Sequence, residues 1–301
     1  MTEPEGAGDP RARAAGLPFW RGTVEPQPLA GGITNANFTV EDAGEKYVVR
    51  IAGDIPVHHV LQFNVSQACL AAHAAGLSPE VVYAEPGAIV SRFIAGKTFE
   101  APDVRDNLER VLALVQRCHR EVPRHLRGPV LVFWVFHVIR DYGHRLNQDG
   151  SRMAPEVPRL LDAAEALERA VGPIEPTFCH NDLLAANFMD DGRRLWLIDW
   201  DYAGFNSALF DLANLASNNE LTEPRERWLL ENYFDRRITD GLWRSYNAMK
   251  CASLLREAMW SMVSEIHSQL DFDYEGYTAE NLRRFDRAYN EVRQALEIDQ
   301  V

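Results

Sequence analysis

The stretch FCHNDLLAANFMDDGRRLWLIDWDYAGFN, residues 178–206, decides how the chain is read. His180-Asn181-Asp182 is followed by Asn187, five residues after the aspartate. The next segment, FMDDGRRLWLID, reads as two short strands around a tight turn, with Asp191-Gly192 supplying the turn chemistry. Closing that hairpin brings Asn187 and Asp199, at its two ends, close together in space. An amide oxygen, a carboxylate and a second carboxylate on the same loop then share one corner of the molecule.

Such a corner suits phosphoryl transfer, which needs a base to orient a hydroxyl, oxygen ligands for Mg²⁺ and positive charge on nucleotide phosphates. Magnesium takes hard oxygen donors, so Asn187 and Asp199 are the expected ligands. Asp182 is placed to accept the proton of an acceptor hydroxyl. The spacing H-x-D-x-x-x-x-N, then a hairpin, then an aspartate matches the protein-kinase type of catalytic arrangement.

Outward from this stretch the texture differs on the two sides. From Val24 to Ile94 the chain is β-rich and punctuated by glycine. GGITNANFTVED and KYVVRIA read as strands, LQFNVSQACLAAHAAG as a helix stopped at Gly76, and PEVVYA and AIVSRFI as two further strands. After Gly96 long amphipathic patterns dominate, among them DNLERVLALVQRCHREV and TDGLWRSYNAMKCASLLREAMWSMVSEIHSQL. The expected fold is α+β and bilobal: a small antiparallel sheet lobe with one helix, joined near residues 91–98 to a larger, mainly helical lobe. The expected division is a disordered tail at 1–17, a nucleotide-binding lobe at 18–95 and a catalytic and substrate-binding lobe at 96–301.

The small lobe adds a second group of candidates. Gly31, Gly32, Thr34, Asn35 and Asn37 lie on a turn between strands, where glycines let backbone N–H groups approach phosphates. Arg50 ends the YVVR strand and can pair with phosphate through two parallel hydrogen bonds.

At this point the sequence resembles the choline/ethanolamine kinase family, within the aminoglycoside phosphotransferase superfamily and its protein-kinase-like fold. GGITNANF is similar to the family's nucleotide loop, YVVRI to its phosphate-binding strand and HNDLLAANF to its catalytic loop. IDWDYAGFNSALFDLAN is the most specific match, and the segment from Arg256 to Phe285 resembles the substrate-pocket region. The resemblance implies Asp182 as base, Asn187 and Asp199 on magnesium and Arg50 on ATP phosphates. It implies an adenine-bearing hinge at 91–94, which includes Arg92 and Ile94. It also implies an aromatic wall of Tyr202, Trp260 and Tyr277 for a cationic head group, held by cation–π attraction. Asp201 could support the metal or the substrate amine, or stand in solvent. Asp211 is expected to brace the loop or cap a helix, and His180 to hold the loop through hydrogen bonds.

Three positions depart from the family pattern. Val65 stands where a glutamate should pair with Arg50, Glu257 where an aromatic is common, and Asn218 where an acidic pocket residue is expected. The leading expectation is a kinase for the hydroxyl of choline or a similar small amino alcohol, using ATP and Mg²⁺. Another hydroxylated metabolite or an aminoglycoside is the alternative acceptor, and a nucleotide-binding pseudokinase is the alternative that Val65 motivates.

Composition narrows the partners. With 31 basic and 44 acidic residues, the net charge of −13 argues against non-specific nucleic-acid binding. The longest apolar run, PVLVFWVFHVI at 129–139, is short of the ~20 residues a membrane span needs, so no membrane insertion is expected. Four separated cysteines, none in a C-x-x-C pair, fit buried free thiols and a reducing cytoplasm. A homodimer is one assembly the sequence allows.

Overall fold

The computed structural model describes residues 9–29 and 35–298. The chain opens with helix α1 (Pro10–Ala15), capped by the Asp9 side chain, which accepts from the Arg11 N–H at 3.0 Å. Ala14 and Leu17 are buried against Phe38, Tyr47 and Val49. The expectation of a disordered tail through residue 17 therefore fails for residues 9–17. Two buried apolar side chains and a cap are enough to fix one turn and a half against a sheet. Residues 1–8 lie outside the described residues.

Five strands follow: β1 (Gln27–Pro28), β2 (Ala36–Asp42), β3 (Glu45–Ile51), then β4 (Val81–Glu85) and β5 (Ala88–Arg92). They form one antiparallel sheet in the order β1-β2-β3-β5-β4. The β2–β3 turn is Ala43-Gly44, both at positive φ, the conformation that matches hairpin twist. Period-two alternation then divides the side chains. Phe38, Val40, Tyr47, Val49, Ala88 and Val90 face α1, while Arg50 and Ile89 are register partners on the opposite face. That second face is covered by helix α2 (Gln62–Ala74), whose Val65 packs on Val60 and Ile89.

The chain leaves the sheet at Arg92 and enters β6 (Lys97–Thr98). Helices α3 (Ala101–Asp106), α4 (Leu108–His125), α5 (Val135–Gln148) and α6 (Val157–Val171) come next. α5 grows out of the apolar run at 129–139, which periodicity alone had not assigned to a helix. Strands β7 (Pro176–Cys179), β8 (Phe188–Asp190), β9 (Leu195–Leu197) and β10 (Gly204–Ser207) carry the decisive stretch. β6, β8 and β9 make one small sheet, and β7 and β10 another. Helices α7 (Ala208–Asn218), α8 (Glu223–Phe234), α9 (Asp240–His267) and α10 (Tyr274–Ile298) complete the large lobe.

One apolar cluster spans the lobe junction, apart from the sheet's own core against α1. Ala68, Ala71 and Ala72 of α2 share a cluster with Val111 and Val115 of α4 and with Met249, Leu255 and Met259 of α9. Helix α9 is buried along most of its length, from Tyr246 to Ser264, so it acts as the axis of the large lobe. Across the lobe junction, the Ser78 hydroxyl donates to the Leu197 carbonyl at 2.6 Å and accepts from Trp200 Nε1 at 2.8 Å.

Gly96, in the connector between β5 and β6, passes against the β8–β9 hairpin. A Cβ there would lie 2.6 Å from the backbone oxygen of Asp190. Gly96→Ala should destabilise the protein by about 1–3 kcal/mol through overpacking at this crossing. The expected readout is a lower urea midpoint with an unchanged m-value; an unchanged midpoint would show that the connector can shift freely.

Candidate active site

The hairpin at the centre forms as its residue types require. Phe188, Met189 and Asp190 pair with Leu197, Trp196 and Leu195. The Asp190 side chain accepts from the Gly192 N–H, and Asp191 Oδ1 accepts from the Arg193 and Arg194 N–H groups, so two aspartates tie the turn. Gly192 takes positive φ within it. At the open end the Ile198 N–H donates to the Asn187 carbonyl at 3.0 Å, which brings Asn187 and Asp199 together.

The loop carrying Asp182 is held from behind by buried Asp211 in α7. One oxygen of Asp211 accepts from the Asn181 N–H at 2.7 Å; the other accepts from the His180 N–H at 2.8 Å and contacts His119 Nε2 at 2.9 Å. Burial pushes the carboxyl up, but these contacts, above all that with His119, hold it below its usual range. Leu183 N–H donates to Asn214 Oδ1, and His180 Nε2 lies 3.0 Å from the Ile198 carbonyl. Asn181 sits in the left-handed region, at φ 64°, with Nδ2 donating to the Tyr202 carbonyl at 2.9 Å. Both Asp211 and His180 thus hold the loop, as the sequence suggested.

Within this frame Asp182, Asn187, Asp199, Asp201 and Arg50 converge. Asn187 Nδ2 donates to the Asp182 backbone oxygen at 2.8 Å and reaches its carboxylate at 3.4 Å. Arg50 Nη1 donates to Asp199 at 3.3 Å, and Nη2 to Asp201. Asn35 Nδ2 donates to the other Asp201 oxygen at 3.0 Å. Asp201 is therefore an anchored, buried group and not a solvated one. Asn37 stands directly across the strand pair from Arg50. Burial, reinforced by the neighbouring Asp201 charge and opposed by Arg50, pushes Asp199 up to about 6. Burial pushes Asp182 up to about 8, with Arg256 pulling it down and Glu257, Asp199 and Asp201 pushing it further up. Carboxylates crowded in this way favour a bound cation, and their hard oxygens with Asn187 beside them suit Mg²⁺.

Other expected positions fare differently. Gly31, Gly32 and Thr34 lie outside the described residues. Arg92, expected at the hinge and not in this cluster, shares a sheet face with its register partner Tyr47, opposite to that of Arg50. There its guanidinium binds Glu45 at 2.7 Å and Glu80 at 3.2 Å. An odd step along a strand reverses the face, and residues 50 and 92 fall on opposite phases of the pleat. Ile94 lies in the connector and, with Arg92, Phe93 and Trp196, lines a cleft of about 460 Å³ between the connector and the β8–β9 hairpin. Val65 leaves no gap where a glutamate was expected. It is fully buried in apolar contacts, and Arg50 takes its anionic partners from Asp199 and Asp201 instead.

The aromatic positions gather beside α9. Trp260 packs on Tyr277, with ring centroids 6.4 Å apart, and the Tyr277 hydroxyl donates to Glu257 at 2.7 Å. Tyr202 lies under the guanidinium of Arg256, 4.2 Å from the ring centre. Sequence reasoning missed Arg256, His58 and Tyr142, which join this wall from three elements far apart in the chain. A buried arginine in an apolar helix was the one signal that could have found the first. His58 contacts the Tyr142 hydroxyl at 3.3 Å and the Ser264 hydroxyl at 3.1 Å, and its ring lies 5.3 Å from Trp260.

A bilobal architecture with this loop, hairpin and carboxylate set defines a phosphotransferase of the protein-kinase-like class. The family model for choline/ethanolamine kinase matches residues 27–225. The chain is 25% identical to protein LicA of Haemophilus influenzae over 282 residues, covering 88% of this chain and 79% of that one. It is 24% identical to human ethanolamine kinase 2 over 315 residues, covering 94% and 80%. The crystal structure of a choline/ethanolamine kinase family protein from Mesorhizobium loti superposes with a TM-score of 0.73 at 24% identity, covering 94% and 98%. The chain belongs to the choline/ethanolamine kinase family, and with it to the ATP-dependent phosphotransferases. No helix among the described residues is long and apolar enough to cross a membrane.

Burial, then the charge of Arg256, lowers the His58 pKa to about 3 from 6.5. A folded value below the unfolded one means the unfolded chain binds the extra proton between those limits. Stability contributed by neutral His58 is thus complete above pH 6.5 and lost as pH falls toward 3, at up to ~1.4 kcal/mol per pH unit. Urea titrations across pH 7 to 5 should show this slope, and His58→Asn should flatten it. An identical slope in the variant would assign the acid sensitivity to other groups.

Proposed function

We propose that the protein transfers the γ-phosphoryl group of ATP to the hydroxyl of choline or a similar small amino alcohol. The convergence of Asp182, Asn187 and Asp199 on one loop-and-hairpin unit carries this reading. Asp182 orients the acceptor hydroxyl and takes its proton as that oxygen attacks the γ-phosphorus and ADP leaves. Its upward-shifted pKa gives it the proton affinity of an effective base near neutral pH. Asn187 and Asp199, with Asp201 alongside, are the residues that would hold Mg²⁺, which supplies charge neutralisation on the phosphates. Arg50 brings a permanent positive charge to the same corner, where Asn35 and Asn37 add polar groups from the nucleotide loop.

The reading keeps a nucleotide lobe at 18–95 and a catalytic lobe at 96–301, with Tyr202, Trp260 and Tyr277 lining the acceptor side. Glu257 stands in that wall and favours an amine that still has N–H donors. An aminoglycoside would call for many carboxylates around the cleft, whereas this wall is mainly aromatic. The family's relatives named for choline or ethanolamine support an acceptor of that size. A cytoplasmic enzyme is consistent with its four free thiols.

Magnesium-dependent ADP release, measured with and without acceptor, tests the reading. Asp182→Asn should lower acceptor-dependent kcat by about 10²-fold or more while ATP still binds. Asn187→Ala should raise the magnesium concentration needed for half-maximal rate by about 10-fold, the scale seen when a metal site loses a supporting group. Asp182→Asn with more than a fifth of the parent rate would remove Asp182 from the chemistry.

A further inference from the structure

Helix α9 places a cation where the family resemblance leads one to expect a substrate cation. Arg256 is 3% exposed, and its guanidinium lies 4.2 Å from the centre of the Tyr202 ring. The π-face best suited to a quaternary ammonium is therefore occupied by the protein's own positive charge. A second cation beside it would meet like-charge repulsion in a poorly solvated place.

The hydrogen-bonding inventory points the same way. Arg256 Nη1 donates to Glu257 at 2.9 Å, and Glu257 also accepts from the Tyr277 hydroxyl, so the guanidinium is fixed from one side. Its Nε and Nη2 are buried and make no hydrogen bond among the described residues. Buried Trp260 Nε1, one helical turn further along α9, is unpaired too. Positions i and i+4 share a helix face, so three donors without acceptors belong to one wall. Leaving charged donors buried and unpaired is costly, and such groups call for a partner. The Nε–Nη2 edge is the fork that matches a carboxylate through two parallel bonds. Choline has no acceptor to offer these donors beyond the hydroxyl that reacts. Asp182 lies within electrostatic reach of the same guanidinium, so a group held there sits near the base.

We propose that the acceptor carries a carboxylate, bound by the Nε–Nη2 edge of Arg256 with Trp260 Nε1 beside it. The substrate class is then a small hydroxy acid, hydroxy amino acids included, and not a quaternary amino alcohol. This deepens the kinase reading above and rests on it. The chemistry is unchanged: the acceptor hydroxyl oxygen bonds to the γ-phosphorus, the bond to ADP breaks, and the proton passes to Asp182. The carboxylate takes no part beyond positioning.

The test is ADP release by the full chain with MgATP and, in turn, choline, ethanolamine, D-glycerate, L-serine and L-homoserine. At least one carboxylate-bearing acceptor should exceed both choline and ethanolamine by about 10-fold or more in kcat/KM. Arg256→Met should reduce that ratio by about 10²-fold, the scale of losing a paired, charge-assisted contact, and Arg256→Lys should restore part of it. A parallel titration of tryptophan fluorescence, independent of turnover, should show L-serine or D-glycerate saturating below choline. If choline or ethanolamine outruns every carboxylate acceptor, and Asp182→Asn is inactive, the kinase reading stands and the carboxylate inference falls. Tighter binding of choline than of L-serine and D-glycerate overturns the inference even without turnover. If no acceptor raises ADP release above the acceptor-free rate, the kinase reading fails and the inference falls with it.

Discussion

Asp211 is the group on which the site depends. Its carboxylate is fully buried, yet it stays charged because two consecutive backbone N–H groups and His119 surround it. Those two N–H groups belong to His180 and Asn181, so the loop can neither peel away nor slip in register without stranding a buried charge. Asn181 is thereby kept in the left-handed conformation, immediately before Asp182. The brace comes from α7, which follows β10 directly, so loop, hairpin and brace are all built from one stretch of about 35 residues. Local construction of this kind limits the chain entropy spent on positioning the reactive carboxylates.

Two arginines divide the electrostatics of the cleft. Arg50 reaches down from the sheet to Asp199 and Asp201, while Arg256 reaches across from α9 into the field of Asp182. Burial pushes Asp182 and Asp199 toward protonation, and each guanidinium opposes that push on its own side. The cleft can therefore hold several acids close together without all of them neutralising. Its two ends are also made different: one suits phosphates and a metal, the other an acceptor.

Much of this was legible in sequence because it is local. The spacing from Asp182 to Asn187 and the Asp-Gly turn determine the hairpin through near neighbours, and β2, β3 and α2 follow from alternation and glycine stops. What was not legible depends on phase or on distance along the chain. That Arg92 lies on the sheet face opposite to Arg50 depends on phase, and a motif resemblance carries no information about which side of a pleat a residue takes. His58, Tyr142 and Arg256 meet only after α5 and α9 pack, and each reads singly as an unremarkable residue. Helix α1 was missed for another reason: an acidic, glycine-containing segment hides the two buried positions, Ala14 and Leu17, that hold it.

Val65 shows how a departure from a family pattern can be absorbed. A lysine at position 50, presenting one compact charge, would need an external carboxylate to hold it in line. A guanidinium is a wide planar fork, and here its two terminal nitrogens bond two different aspartates. Once the strand residue is arginine, a partner from α2 is redundant for anchoring, and that position is free to become apolar. Val65 then contributes to the contact with Val60 and Ile89 that seats α2 on the sheet. The position thus carries a packing contact where the family pattern would place an ion pair. The absence of the glutamate fits a rearranged anchor for Arg50, with the carboxylates of the catalytic unit intact, and gives no structural reason to read the chain as a non-catalytic relic.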